Sequence, residues 1–127
     1  MNRPPAFLLD EHLRGPLWEA VQAHNARPSV EPLLVFRVGD GPDLPLGVDD
    51  AEILQWAEQK SCIVISCERQ TMARYFWDHL KAGRHSPCLI LLPNVFSITE
   101  VLEYLILAAH ASEPTEWHDR IVYFRKI

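Results

Sequence analysis

Cys62-Ile63-Val64-Ile65-Ser66 is the segment from which the fold class follows most directly. It contains no charged side chain, and its three central residues are β-branched, which is typical of a strand buried on both faces. Strands of this kind belong to parallel sheets, because crossover helices cover both faces of such a sheet. The segment therefore predicts a central strand of a parallel sheet.

Apolar runs of similar length flank this strand along the chain. We expect four further strands, within residues 6–9, 33–38, 88–92 and 121–124. The segments between them carry apolar residues at steps of three and four, which is the spacing of an amphipathic helix. This alternation predicts an α/β fold, a three-layer α/β/α sandwich around a central, mostly parallel sheet of about five strands.

Local signals indicate where the helices begin. Pro16 is tolerated only near the start of the first helix, because proline lacks the backbone donor that a helix interior needs. Either Asp49 or Asp50 can cap the second helix, and Ser97 or Thr99 starts the fourth.

The composition suits a single domain formed by residues 1–127. Apolar residues make up 48% of the chain and charged residues 23%, and a chain of this length buries roughly two thirds of its unfolded surface. The net charge of −5 argues against a protein that coats duplex nucleic acid through bulk positive charge. No stretch approaches the ~18 to 20 apolar residues of a membrane span, and the N-terminus does not resemble a signal peptide. We therefore expect no membrane association and a cytoplasmic location.

Acidic side chains follow two predicted strands and open one predicted helix. Asp10 comes directly after the first strand, Glu68 follows the third, and Asp50 lies at the start of the second helix. Because the functional crevice of an open parallel sheet lies at the carboxyl ends of its strands, we expect these acids to converge. Carboxylates of this kind bind Mg²⁺ or Mn²⁺, which can activate water and bind a scissile phosphate.

Each acid also has a purely structural interpretation. Asp and Glu are common as helix caps and as solvated surface residues, and Asp49 and Glu52 fit that role. The convergence of three separate segments favours a site for Asp10, Asp50 and Glu68 taken together. The alternative is a small α/β scaffold whose acids are only caps.

Other reactive or charged residues follow the third strand. Arg69 and Arg74 flank the acidic end of the sheet, where a phosphodiester needs countercharge, although a solvated helix face explains them equally well. Cys67 would be a reactive thiol if a helix N-terminus lowered its pKa. No histidine is placed to assist it, so a half-buried structural residue is the simpler interpretation.

The aromatic residues of the second and third helices fall mostly on apolar stripes. We therefore expect them in the core rather than on a base-stacking surface. They are Trp56, Tyr75, Phe76 and Trp77. His79 and His110 also lie on predicted helices, where we expect them to be partly exposed rather than to bind a metal.

Four motifs in the same order carry a resemblance to a known family. They are FLLDEH at residues 7–12, LGVDDAEILQWAE at 46–58, VISCERQTM at 64–72 and SITEVLEYLILAAHASEPTEWHDRIVYF at 97–124. Together they resemble a bacterial PIN-like domain family of unknown function, which is similar to the PIN-domain ribonucleases and to the toxins of toxin–antitoxin pairs. The resemblance extends from Ala6 to Phe124 and implies a single PIN-like domain.

The resemblance also implies a metal-dependent nuclease site. It assigns the first two acids of the family to Asp10 and Asp50, and its Thr-His-Asp-Arg pattern to residues 66–69. Glu68 therefore stands where the family usually has Asp, Cys67 stands where it commonly has His, and Gln70 stands where many members have a further Asp. We expect Asp10, Asp50 and Glu68 to act as metal ligands and catalytic residues, while the family generally uses four acids.

Two functions follow from the resemblance. The first is a ribonuclease that cleaves single-stranded RNA with Mg²⁺ or Mn²⁺, with Arg69 and Arg74 binding the substrate. The second is a PIN-like fold that has lost catalysis and acts as a binding or regulatory protein, as Glu68 and Gln70 suggest. The toxin analogy implies a small antitoxin as partner, and the sequence leaves homo-oligomerisation open.

Overall fold

Five short strands form one parallel sheet in the computed structural model, which describes residues 4–124. The strands are β1 (Ala6–Leu9), β2 (Val35–Arg37), β3 (Cys62–Ser66), β4 (Leu89–Leu91) and β5 (Ile121–Tyr123). Their order across the sheet is β2-β1-β3-β4-β5, and every neighbouring pair is parallel. This arrangement confirms the predicted α/β fold class and the central position of β3.

Helices cover both faces of the sheet. They are α1 (Pro16–Asn25), α2 (Asp50–Lys60), α3 (Arg69–Lys81) and α4 (Ile98–Ala111), with short 3₁₀ helices at Glu11–Leu13 and Pro114–Glu116. The side chains of β3 alternate between the two layers: Ile63 and Ile65 pack with α1 and α4, whereas Cys62 and Val64 pack with α2 and α3. The three-layer α/β/α sandwich is therefore confirmed. Within the described residues, no helix has the length and apolar character needed to cross a bilayer.

The helix starts agree with the local signals. Pro16 is the first residue of α1, Asp49 occupies the N-cap position of α2, and the Ser97 hydroxyl accepts a hydrogen bond from the backbone N–H of Glu100 to cap α4. Asp49 holds its position without a side-chain cap bond.

Two expectations about α3 are wrong. Tyr75 and Trp77 are not core residues, because the buried stripe of this helix runs through Met72, Phe76 and His79. Tyr75 is 38% exposed and Trp77 is 50% exposed, whereas His79 is buried.

His79 is buried because a polar network at the amino edge of the sheet satisfies it. Its Nε2 lies 2.9 Å from the Glu58 carboxylate of α2 and 2.9 Å from the carbonyl of His85. Arg84 donates to the same Glu58 oxygen at 3.2 Å, and His85 Nδ1 lies 2.9 Å from the Asp119 carboxylate. The network joins the ends of α2 and α3 to the turn that precedes β5.

The outer edge of β2 is partly covered by a side chain of α1. Asn25 donates its amide N–H to the carbonyl of Leu33 at 2.9 Å and accepts the backbone N–H of Leu33 at 2.7 Å. A single asparagine thus imitates a neighbouring strand at the position where the edge would otherwise offer both groups to another chain.

Candidate functional site

The strand order reverses direction between β1 and β3. From β1 the chain moves outward to β2 and then returns to form β3 on the other side, so the loops after β1 and β3 diverge. In doubly wound sheets, ligands bind at this point, outside the carboxyl ends of the strands. Asp10 directly follows β1, and Ser66 ends β3. The predicted residues Asp10 and Glu68 therefore flank the point at which the strand order reverses.

Asp10 is the best-buried acid of this region, with 3% of its surface exposed. One carboxylate oxygen accepts the backbone N–H of His12 at 3.0 Å and so caps the 3₁₀ helix that follows. The other accepts the hydroxyl of Ser66 at 2.5 Å. Burial raises the pKa of Asp10, and the two hydrogen bonds only partly oppose this shift.

Ser66 is a site residue that the sequence did not reveal. Its fully buried hydroxyl donates to Asp10 and accepts the backbone N–H of Glu68 at 3.0 Å. The hydroxyl therefore ties the end of β1 to the start of α3. The sequence gives no indication of this bond, because it depends on β1 and β3 being neighbours in the sheet.

Glu68 lies at the N-cap position of α3 but does not cap the helix with its side chain. Its Oε1 lies instead 2.6 Å from Nε2 of His12; the His12 side chain is exposed and that of Glu68 is partly exposed. His12 thus occupies one oxygen of the third predicted metal ligand. The sequence offered no signal for this contact, since it depends on the 3₁₀ turn after β1.

Asp50 completes the acidic group from the first turn of α2. Burial raises its pKa, and the nearby carboxylates of Glu68, Asp10, Asp49 and Glu11 raise it further, in that order. The structure therefore brings the three predicted ligands close enough to repel one another. Glu11 also accepts the backbone N–H of Gly47 at 3.2 Å, which fixes the loop that leads to α2.

The remaining predicted residues surround this acidic group. Arg69 is the first residue of α3, and its guanidinium carbon lies 5.0 Å from the centre of the Tyr123 ring. Arg74 lies more than one helical turn further along α3, on its exposed face. Cys67 is half-buried, and burial together with Asp10 and Glu68 raises its pKa to about 11. These features favour the structural interpretation of Cys67.

The donor set fits a hard divalent cation in its chemistry. Asp10, Asp50 and Glu68 supply only carboxylate oxygens, which Mg²⁺ and Mn²⁺ prefer, and their mutual repulsion would fall when a cation binds. Among residues 4–124, no three His, Cys, Asp or Glu side chains already stand in an arrangement that could hold an ion. His12 contacts only one of the two carboxylate oxygens of Glu68.

Comparisons with protein-family models, with curated proteins and with solved structures find no match for this chain.

Proposed function

We propose that this protein is a divalent-metal-dependent ribonuclease of PIN-like type, which cleaves single-stranded RNA. The observation that carries the proposal is the buried carboxylate of Asp10 at the carboxyl end of β1, with Asp50 and Glu68 near enough to add to the negative charge there. A cluster of acids with raised pKa values destabilises the fold at neutral pH, which is typical of a site that serves function rather than stability. The four motifs that resemble the PIN-like family support the same activity.

Each residue of the site has a defined role under this proposal. A bound Mg²⁺ or Mn²⁺ supplies an activated water and offsets the charge of the scissile phosphate. Asp10 and Asp50 hold the cation, and Glu68 completes the ligand set. Ser66 orients the Asp10 carboxylate through its short hydrogen bond, as outer partners of metal ligands do. Arg69 meets a phosphate of the substrate, and its exposed position beside Glu68 suits that role.

The cleavage assay is straightforward. Purified protein is incubated with a labelled single-stranded RNA oligonucleotide in Mn²⁺, in Mg²⁺ or in excess chelator. We expect cleavage only with metal, and we expect Asp10→Asn and Asp50→Asn to abolish it. Glu103→Gln, which changes an exposed acid on α4, is the matched control and should cleave normally. Equal degradation in chelator, or by Asp10→Asn prepared in the same way, would show that the proposal is wrong.

One contact favours a second function, that of a binding or regulatory protein with a weakened site. His12 holds an oxygen of Glu68 at 2.6 Å, so the third ligand is already engaged. Such a protein would bind its partner without cleaving RNA, and neither Asp10→Asn nor Asp50→Asn would change that binding.

By analogy with toxins, the partner would be a small antitoxin, and both proteins would act in the cytoplasm. Arg74 would contact RNA further along α3. A small gene transcribed together with this one would be the first candidate partner. Its product should suppress the cleavage activity when the two proteins are co-purified.

A further inference from the structure

Tyr123 is a large aromatic side chain exposed to solvent at the carboxyl edge of the sheet. It is the last residue of β5, and 44% of its surface is exposed. Its neighbours Val122 and Phe124 pack toward the layer of α1 and α4. Tyr123 lies between them on the strand and contacts Arg69 at the start of α3.

The ring lies level with the acidic site. The strand register pairs Ser66 with Leu91 and Leu91 with Tyr123. Tyr123 is therefore two strand spacings from Ser66, a distance of about 10 Å across the sheet. Because Ser66 donates to Asp10, the aromatic ring and the acidic site share the same edge.

Arg69 joins the two features. It directly follows Glu68, and its guanidinium lies over the Tyr123 ring at 5.0 Å from the centroid. Within residues 4–124, its side chain takes part in no ion pair with a carboxylate. An exposed cation–π contact stabilises a fold only weakly, so the pair presents a cation and a ring to solvent at little cost to stability.

From this juxtaposition we propose that Tyr123 stacks on a base of single-stranded RNA while Arg69 contacts an adjoining phosphate. The proposal rests on the proposed ribonuclease function and adds Tyr123 as a substrate-positioning residue. We call the exposed Tyr123 ring the platform. Aromatic rings stack on every base, so the platform should accept an RNA of any base sequence. Arg69 provides the local positive charge that an RNA needs beside a carboxylate cluster.

Two other exposed aromatic residues provide matched controls. Tyr75 and Trp77 lie on α3, about 9 and 12 Å along the helix axis from Arg69. The Trp77 ring packs edge-on against Phe76, with 5.3 Å between ring centres. Trp77 is as exposed as Tyr123 but is removed from the acidic edge, so its substitution tests exposed aromatic surface alone.

The test measures binding by fluorescence anisotropy in Mg²⁺, with Asp10→Asn in every protein to prevent cleavage. The probes are a labelled single-stranded RNA oligonucleotide and an abasic ribose-phosphate oligomer of equal length. We expect Tyr123→Leu to weaken RNA binding about 5-fold or more without affecting the abasic oligomer. Tyr123→Phe should bind RNA normally, because stacking needs the ring and not the hydroxyl. Trp77→Leu should bind both probes as the parent protein does.

Arg69 should give a different signature from Tyr123. Arg69→Gln should weaken the binding of both probes and should reduce the slope of log affinity against log salt by about 0.7, the value for one lost phosphate contact to a single strand. In the protein that retains Asp10, Tyr123→Leu should raise KM and leave kcat unchanged, because stacking is felt equally in the ground state and the transition state.

The outcomes separate this proposal from the ribonuclease function. If the protein cleaves RNA and Tyr123→Leu binds RNA as tightly as its parent, the platform is wrong and the ribonuclease stands. If no protein cleaves RNA but Tyr123→Leu loses RNA binding, the platform stands and the ribonuclease is wrong. If the parent protein binds neither probe, the platform is wrong, and cleavage by the protein that retains Asp10 alone decides the ribonuclease function.

Discussion

The acidic side chains at the two edges of the sheet have pKa values that are shifted in opposite directions. At the carboxyl edge, burial and neighbouring carboxylates raise the pKa values of Asp10 and Asp50. At the amino edge, burial opposes the ionisation of Glu58 and Asp119 as well, but hydrogen bonds from Arg84 and from backbone N–H groups outweigh it and lower their pKa values. One edge therefore weakens the folded state at neutral pH and the other strengthens it. The comparison favours the carboxyl edge over the amino edge as the place of the proposed site.

The largest expected effect is stabilisation of the carboxyl edge by a divalent cation. A cation that binds only the folded state contributes about 2.7 kcal/mol at a hundredfold excess over its Kd, which for a domain of this size raises Tm by roughly 10 °C. Thermal melts with and without Mn²⁺ or Mg²⁺ measure this shift. Asp10→Asn should gain much less, and Glu103→Gln should gain as much as the wild type. Identical melts of the wild type with and without metal would show that the acids form no working site.

A smaller loss is expected when the amino edge is broken at Asp119. This residue has a φ of 61°, and its carboxylate accepts the backbone N–H of Ser86 at 2.8 Å as well as the His85 imidazole. Asp119→Ala should cost about 2 kcal/mol, because alanine disfavours this backbone conformation and leaves the Ser86 N–H without its acceptor. Chemical denaturation measures the change in the free energy of unfolding.

Asp119→Asn is the matched control for that substitution. Asparagine tolerates a positive φ and keeps an acceptor for Ser86, so less than half of the loss should remain. Equal losses in Asp119→Ala and Asp119→Asn would show that charge, not geometry, is what the amino edge needs.

The pH dependence of stability should differ in form between the two edges. Where a carboxyl pKa is raised, as for Asp10, the folded state holds protons that the unfolded state has released, so stability falls as pH rises from about 4 through the folded pKa. The hydrogen bond to Asp119 raises the pKa of His85, and the pair therefore stabilises the fold below the folded pKa of His85. This stabilisation is lost as pH rises through that value. The pKa of Asp119 is lowered, so the stabilisation by this pair is also lost when the pH falls through the folded pKa of Asp119.

Differences in unfolding free energy between the wild type and each variant test these two forms. For metal-free Asp10→Asn, the variant should gain stability relative to the wild type as pH rises from about 4 through the folded pKa of Asp10, and the difference should then level off. For Asp119→Asn, the deficit of the variant should be greatest between about pH 4 and 6.5 and should shrink on either side. Parallel curves for the two variants would contradict the contrast between the edges.

The smallest effect is expected from the contact between His12 and Glu68. An exposed pair of this kind contributes about 0.2 to 1 kcal/mol, so removing it should tighten metal binding at most about fivefold. His12→Ala removes the partner of the Glu68 carboxylate and leaves the Glu68 side chain at its full length. Glu68→Asp shortens the side chain and introduces the residue that the resemblance to the PIN-like family implies. We expect both variants to lower the metal Kd measured by calorimetry and to increase any nuclease activity, while a weaker affinity in Glu68→Asp would show that the longer side chain is needed.

The sequence predicted the layers of the fold and the position of the acids because both depend on local pattern. Uncharged, β-branched runs such as residues 62–66 favour a strand buried on both faces, and Asp10 and Glu68 lie within two residues of the ends of such runs. The strand order is not a local property, so the bond from Ser66 to Asp10, across 56 residues of chain, could not be foreseen.

The errors on α3 have a physical reason as well. Aromatic type suggested that Tyr75 and Trp77 belong to the core, yet the helix can bury only one stripe. That stripe passes through His79, whose polar ring is buried because Glu58 and the His85 carbonyl lie within hydrogen-bonding distance. The burial of such a histidine can be predicted only when its hydrogen-bond partners are known, and these come from two other segments of the chain.

The pairing of Asn25 with Leu33 makes one edge of the sheet subject to chemical ageing. The side-chain amide works there because it offers one donor and one acceptor to the same residue. Deamidation to aspartate would replace the donor with a second oxygen, which would then face the carbonyl of Leu33 and repel it. The exposed backbone of Leu33 would become available to a strand from another molecule. A single side-chain amide, which no hydrolysed form could replace, therefore keeps this edge closed.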